Sequence, residues 1–197
     1  MRNFRYVMLA GLLGAAMSTQ AAPVTYKLDP GHTMVLFSWS HLGFSNPVAD
    51  IGLGDGALVF DQQNPSKSTV EVTLPLSNLD THVPALDKHL KQRDFFDADK
   101  YPTITFKSTS VQPVDGKHYK VTGDLTVRGV TKSVVLNATL NNVGTHPMTG
   151  QQAIGFNATG SLRRSDFGLG AYVPKVSDEI QLTITTEGQA PEADAAQ

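Results

Sequence analysis

Cysteine is missing from all 197 positions, and that single absence removes several kinds of chemistry. Disulfides, thiolate metal sites, a cysteine nucleophile and the lipid-modified cysteine of a bacterial lipoprotein are excluded. Charge is scarce as well: 16 basic residues stand against 18 acidic ones, for a formal net of −2, and nothing indicates a nucleic-acid partner. No "GxSxG" elbow occurs, and the "GLGDG" of Gly52 to Gly56 lacks the Lys-Ser/Thr ending of a phosphate loop. After the first two dozen residues, no apolar run is long enough to cross a bilayer as a helix.

The opening "MRNFRYVMLAGLLGAAMSTQAA" has the layout of a secretory signal. Arg2 and Arg5 precede an apolar run from Val7 to Met17, and small residues follow. Thr19 and Ala21 suit the −3 and −1 positions of a signal peptidase, which predicts cleavage of residues 1–21 and a periplasmic destination. Removing them takes away two arginines and no acid, so the remainder is more acidic still. Roughly 175 residues are left, enough for one domain with a sizeable core. Asn137 and Asn157 stand in "NAT" sequons, which read as ordinary strand residues in a bacterial export route. The closing "QAPEADAAQ", residues 189–197, reads as a disordered tail.

Between those ends the sequence breaks into short runs of period-two alternation separated by Gly, Pro, Asn and Asp, the pattern of antiparallel sheet. Val35, Phe37, Trp39 and His41 share one face of "TMVLFSWSH", and Ser38 and Ser40 share the other. The same alternation runs through Val70, Val72 and Leu74, through Ile104 and Phe106, through Tyr119, Val121, Leu125 and Val127, and through Ile180, Leu182 and Ile184. Asp115-Gly116 and the Gly129 region read as turns, and Pro75 as an edge, a bulge or a strand end. The expected fold class is all-β, with about eight antiparallel strands, a number at which a barrel closes and can hold a ligand. A sandwich and a barrel filled by its own side chains fit the alternation equally well.

One segment breaks the pattern. "THVPALDKHLKQRDFFD" reads as a helix over about 82–95, with Pro84 in its first turn and Asp80 or Thr81 near its unpaired N–H groups. At about 100° per residue, His82, Leu86, His89 and Arg93 fall on one stripe. His82 and His89 lie two turns apart, roughly 10 Å, too far to share one ion on a regular helix, so no metal site is expected. Asp80, His82, Asp87 and His89 form the pool an enzyme would draw on, although their spacing does not bring them together. Of Phe37, Trp39, Phe44, Phe60, Phe106 and Phe156, about two in three are expected simply to pack in a core, and the remainder to line a cavity if there is one.

In order along the chain, "YKLDPGHTMVLFSWSHLGFS", "LDTHVPALDKHLKQRDFFDADKYPTITFKSTSV", "VTGDLTVRGVTKSVVLNATL", "IGFNATGSLRRSDFGL" and "DEIQLTITTEG" closely resemble the YceI-like family, from Tyr26 to Gly188. The resemblance implies a lipocalin-like antiparallel barrel spanning residues 22–188 in an exported bacterial protein. It also implies a non-covalently held lipid in place of any other cofactor: a long isoprenoid such as a polyprenyl pyrophosphate or an isoprenoid quinone, or a similar amphiphile. On that footing Phe37, Trp39, Leu86, Leu90, Phe95, Phe106 and Phe156 are the expected apolar lining, and His41, His89 and Arg93 the polar groups at the mouth. Leu86 stands where the family usually carries an arginine, and Ala49 and Ile51 where it usually continues through a glycine and an aromatic residue.

The implied activity is binding without catalysis. The alternatives are an enzyme acting on a lipid pyrophosphate, and a filled-barrel interaction or stress protein. Membrane contact is expected to be peripheral at most, a membrane redox protein is a partner to consider for a quinone cargo, and the oligomeric state, including a dimer, is left open.

Overall fold

The computed structural model describes residues 22–192. The predicted signal segment and the last five residues of the predicted tail lie outside that range. Eleven strands form one antiparallel sheet that closes into a barrel of eight staves. The strands are β1 (Val24–Leu28), β2 (Met34–Ser38), β3 (Val48–Gly52), β4 (Asp55–Phe60), β5 (Thr69–Pro75), β6 (Leu79–Asp80), β7 (Thr103–Pro113), β8 (His118–Val127), β9 (Val130–Thr145), β10 (Gln152–Arg163) and β11 (Glu179–Gln189).

Eleven strands make eight staves because the first three staves are each broken in two. β1 and β2 lie end to end along β11, with Leu28 opposite Gly188 and Met34 opposite Thr185. β3 and β4 follow the same line against β2 and β1, and β6 and β5 against β3 and β4. The remaining staves, β7 to β11, are continuous and pair in sequence order. The result is an up-and-down barrel closed by the pairing of β11 with β1 and β2, in which the two-residue β6 pairs on one side only.

The breaks have local causes. Asp29 accepts hydrogen bonds from the Gly31 N–H at 2.8 Å and from His32 Nδ1 at 2.6 Å, which turns the chain between β1 and β2. The second and third breaks meet each other. A Cβ on Gly54 would lie 2.6 Å from the Pro75 ring, so only glycine admits the proline that ends β5. Gly54→Ala should therefore cost about 1–3 kcal/mol through overpacking, read as a lower denaturation midpoint with an unchanged m-value. The "GLGDG" stretch is thus a stave kink.

At one end of the barrel, called lower here, lie the short connections 61–68, 114–117 and 146–151. The upper end carries the long ones: 39–47, 81–102 and 164–178, beside the tight turn of Arg128 and Gly129. Both turn residues have positive φ, 51° and 72°, the requirement of a type I′ hairpin. The helix α1 (Pro84–Leu90) lies within 81–102 and is shorter than the 82–95 expected from periodicity. It stops because the chain folds back on its last turn: the Phe96 N–H bonds to the Leu90 carbonyl at 3.0 Å, and Asp97 adopts φ 52°.

The inward face matches the alternation, but the interior is not uniform. In the lower part Phe60, Tyr119 and Phe156 meet edge to face, with ring centroids 5.9–6.2 Å apart. Buried Tyr26, Leu28, Leu58, Val121 and Ile154 belong to the same core. This half of the barrel is filled.

Candidate functional site

Above that plug the interior is open. A cavity of about 660 Å³ occupies the upper half and reaches the upper end. Its walls come from the inward faces of the staves: Val35 and Phe37 on β2, Val72 and Leu74 on β5, Ile104 and Phe106 on β7, and Leu182 and Ile184 on β11. Glycine makes room for one of the larger rings. A Cβ on Gly123 would lie 2.3 Å from the Phe106 ring, so the glycine lets that ring pack directly against the β8 backbone.

The upper connections build the mouth. Helix α1 contributes Leu86, His89 and Leu90, and the turn after it Phe95 and Phe96. The His89 ring meets Phe95 at 4.8 Å, and Phe95 stacks on Tyr172 at 6.2 Å, so two connections are joined by aromatic contact. Just past β2, Trp39 stacks on Phe37 at 5.8 Å. The segment after Trp39 zips onto the 164–178 connection: the Leu42 N–H bonds to the Lys175 carbonyl, and the Ser177 N–H to the Ser40 carbonyl, both at 2.9 Å.

Of the positions expected from sequence, Phe37, Trp39, Leu86, Leu90, Phe95 and Phe106 all stand on the cavity wall, and so do His41 and His89. Two others lie elsewhere. Phe156 points inward as its stave requires, but low in the barrel, where it packs on Phe60 and Tyr119. Arg93 lies beyond the end of the shortened helix, exposed, and offers only its backbone carbonyl to Arg128 Nη2 at 2.8 Å.

Two arginines escaped the sequence reading. Arg128, on the β8–β9 turn, also donates from Nη1 to the Gly168 carbonyl at 3.0 Å, and so clasps 81–102 to 164–178. Arg164 lines the cavity and is only 8% exposed. It donates to the carbonyls of Ser177 at 2.8 Å, Val176 at 2.9 Å and Leu169. Burial pushes its guanidinium pKa down, with Asp178 nearby acting in the opposite direction. An arginine holds its proton in spite of such a shift. No hydrophobic period marks either residue, because their partners are carbonyls on other segments.

The entry to α1 is held from below. Val83 is the N-cap and supplies no side-chain bond; instead Asp87 reaches back and accepts from the Thr81 N–H at 2.7 Å and from the Thr81 hydroxyl. Those bonds, the hydroxyl's first, lower the Asp87 pKa. A depressed carboxylate contributes its full stabilisation above its unfolded pKa and loses it as pH falls through the folded value. Asp87→Asn should accordingly flatten the acid limb of the stability profile below about pH 5. A profile identical to that of the unchanged chain would contradict this role.

The catalytic pool does not converge on the cavity. His89 is on the wall, Asp87 is engaged by Thr81, and Asp80 and His82 are exposed. Asp50, Asp80 and His82 do place ligand-type atoms within 4.8 Å of one another, because Asp50 pairs with Asp80 across β3 and β6. That group lies off the cavity wall.

Comparison with known proteins agrees with this architecture. The profile of the YceI-like domain matches residues 26–188. A UPF0312 protein of Photorhabdus laumondii is 41% identical over 185 residues, covering 91% of this chain and 95% of that protein. The crystal structure of Campylobacter jejuni YceI protein is similar with a TM-score of 0.68 and 34% identity, over 78% of this chain and 90% of that one. A polyisoprenoid-binding domain from Saccharophagus degradans shares the fold at 12% identity, with a TM-score of 0.62 over 85% of this chain and 99% of that one. A closed eight-stave barrel, a short helix at its mouth and sequence identity across nearly the whole described chain lead to one assignment: the chain belongs to the YceI-like family.

Proposed function

We propose that this protein binds and carries a long-chain isoprenoid, or a similar amphiphilic lipid, in the periplasm, with the tail in the upper chamber and the head at its mouth. The observation that carries the reading is the chamber itself: about 660 Å³, walled almost wholly by apolar side chains and open at one end. That volume lies in the range of small-molecule sites, roughly 300–1,000 Å³. Each Å² of tail removed from water is worth about 25 cal/mol, so the wall supplies affinity and a few polar groups at the mouth supply orientation. The likeness to a domain described as polyisoprenoid-binding supports the tail class. Leu42, Phe44, Val83 and Tyr172, all exposed at the upper end, suit brief contact with a bilayer surface during loading.

No chemistry of its own is assigned, since the acid and base candidates do not meet at the chamber. The chain's single tryptophan, Trp39, stands on the wall and reports on it. Titrating delipidated protein with geranylgeraniol should change Trp39 emission saturably, and Leu182→Asp should abolish the change. An unaltered emission, with no lipid recovered after gel filtration, would sink the carrier reading.

A further inference from the structure

The barrel wall is incomplete between β9 and β10. Their pairing stops at Leu136 opposite Gly160, although β9 extends above that pair through residues 130–135 and β10 through 161–163. Each arm keeps its other neighbour: Val134 pairs with Gly123 on β8, and Leu162 with Ile180 on β11. Outside the gap lies a cleft of about 440 Å³, with Lys132 on one bank and Arg163 and Asp166 on the other. Val134, Leu162 and Phe167 line both this cleft and the chamber. Three side chains, in place of a hydrogen-bonded ladder, therefore separate the two cavities. We infer that this seam is a second entrance to the chamber, a side portal that opens to pass the apolar tail of the ligand. This rests on the carrier reading and names the route its ligand takes.

The two banks are held very differently. On the β10 side, Arg164 donates to the carbonyls of Ser177, Val176 and Leu169, and Asp178 accepts from the Ser165 N–H at 2.8 Å and the Ser165 hydroxyl at 2.7 Å. These bonds fix the 3-10 turn Arg164–Phe167, and Phe167 at its end is only 2% exposed. The β9 side is the top of the β8–β9 hairpin. Among the described residues one side-chain hydrogen bond ties it to the other bank, from Arg128 Nη1 to the Gly168 carbonyl at 3.0 Å. Lys132 faces Asp166 across the cleft, but Asp166 is engaged by Arg163 on its own bank at 2.9 Å. A latch of one hydrogen bond yields to local opening far more readily than a ladder does. Arg128 Nε is buried without a partner, a cost that opening to water relieves.

A barrel rim that merely ends would also cut its ladder short. It would not leave the unpaired arms at chamber height, where Gly123 receives the Phe106 ring and Leu125, opposite Lys132, lines the chamber. Nor would it put one cavity on each side of the same three side chains. Opening the seam exposes Val134, Leu162 and Phe167 to water, and an apolar tail sliding between them covers that surface again. The seam therefore suits a hydrocarbon chain as the group that passes.

The absence of cysteine permits a direct test. Continuing the register one step past Gly160 and Leu136 puts Ser161 opposite Val135, so Val135→Cys combined with Ser161→Cys should form a disulfide that closes the seam. Where oxidation is incomplete, a short bismaleimide closes it, with thiols capped singly by N-ethylmaleimide as the open control. Protein loaded with geranylgeraniol is mixed with phosphatidylcholine vesicles, and Trp39 emission is followed in time. The closed form should release the alcohol roughly tenfold more slowly than the open form at unchanged affinity, because closing a route slows entry and exit alike. Arg128→Gln, which removes the latch, should release it severalfold faster. A release rate untouched by closing the seam overturns the portal and leaves the carrier reading in place. Failure of the open form to bind geranylgeraniol overturns both.

Discussion

Replacing Phe60 with alanine is expected to lower stability by about 3–5 kcal/mol, in delipidated and loaded protein alike. Phe60 is buried and forms the centre of the lower plug, with edge-to-face contacts to both Tyr119 and Phe156. Its loss leaves a void that the closed staves cannot collapse to fill, because barrel registers are fixed on both sides of β4. Phe37→Ala is the contrast. Phe37 already faces open space in the chamber, so truncation forfeits fewer contacts and should cost less, while loosening retention of the tail. Urea denaturation of the two variants, stripped and loaded, separates these effects. If Phe37→Ala cost as much as Phe60→Ala in stripped protein, the division into filled and hollow halves would be wrong.

Loading with lipid should raise the melting temperature by roughly 5–10 °C. A ligand at one hundred times its dissociation constant adds about 2.7 kcal/mol of apparent stability, and a domain of this size shifts by about 2–4 °C per kcal/mol. Such a tail replaces unfavourable empty space against Val72, Leu74, Ile104 and Leu182 with contact, and binds the folded state alone. The increment should persist in Phe60→Ala, whose chamber is intact above the damaged plug, and shrink in Phe37→Ala. Scanning calorimetry of solvent-extracted and reloaded samples reads both. Identical melting curves before and after reloading would remove the support that a preformed apolar chamber lends to the carrier reading.

Period-two alternation made the inward face of the barrel legible. Val35, Phe37, Trp39, Ile104, Phe106 and Leu125 share the face that alternation assigned them, and each reaches the chamber. Alternation reports which side of a strand a residue takes and says nothing about height along the barrel axis. Phe156 has the same inward orientation as Leu182 and lies in the plug instead, a difference set by stave register: Phe156 pairs with Thr186 near the lower end, and Leu182 with Phe37 higher up.

The helix was legible from Pro84 to Leu90 and overextended beyond it. His82 has φ 61° and stands outside the helix, and Arg93 lies past the fold-back of Phe96 onto Leu90, so neither joins the stripe that periodicity drew. Leu86 and His89, within the true helix, do face the chamber. Eight staves were countable, but their breaks were not, since the Gly54–Pro75 contact joins residues distant in sequence. The family motifs acquire physical reasons in the same way: a Cβ on Gly129 would lie 2.6 Å from the Tyr101 ring, which ties "YP" to "RGVTK" across the mouth. Arg164, inside "RRSDFG", was invisible to periodicity because a cation bound to carbonyls leaves no pattern.

The most direct test of the central claim is native mass spectrometry of the protein purified from a bacterial periplasm without detergent, followed by organic extraction and identification of what it held. The account predicts a near-stoichiometric amphiphile with a long apolar tail, lost from Leu182→Asp. Protein that carries nothing from the periplasm and takes up no isoprenoid when relipidated would contradict it.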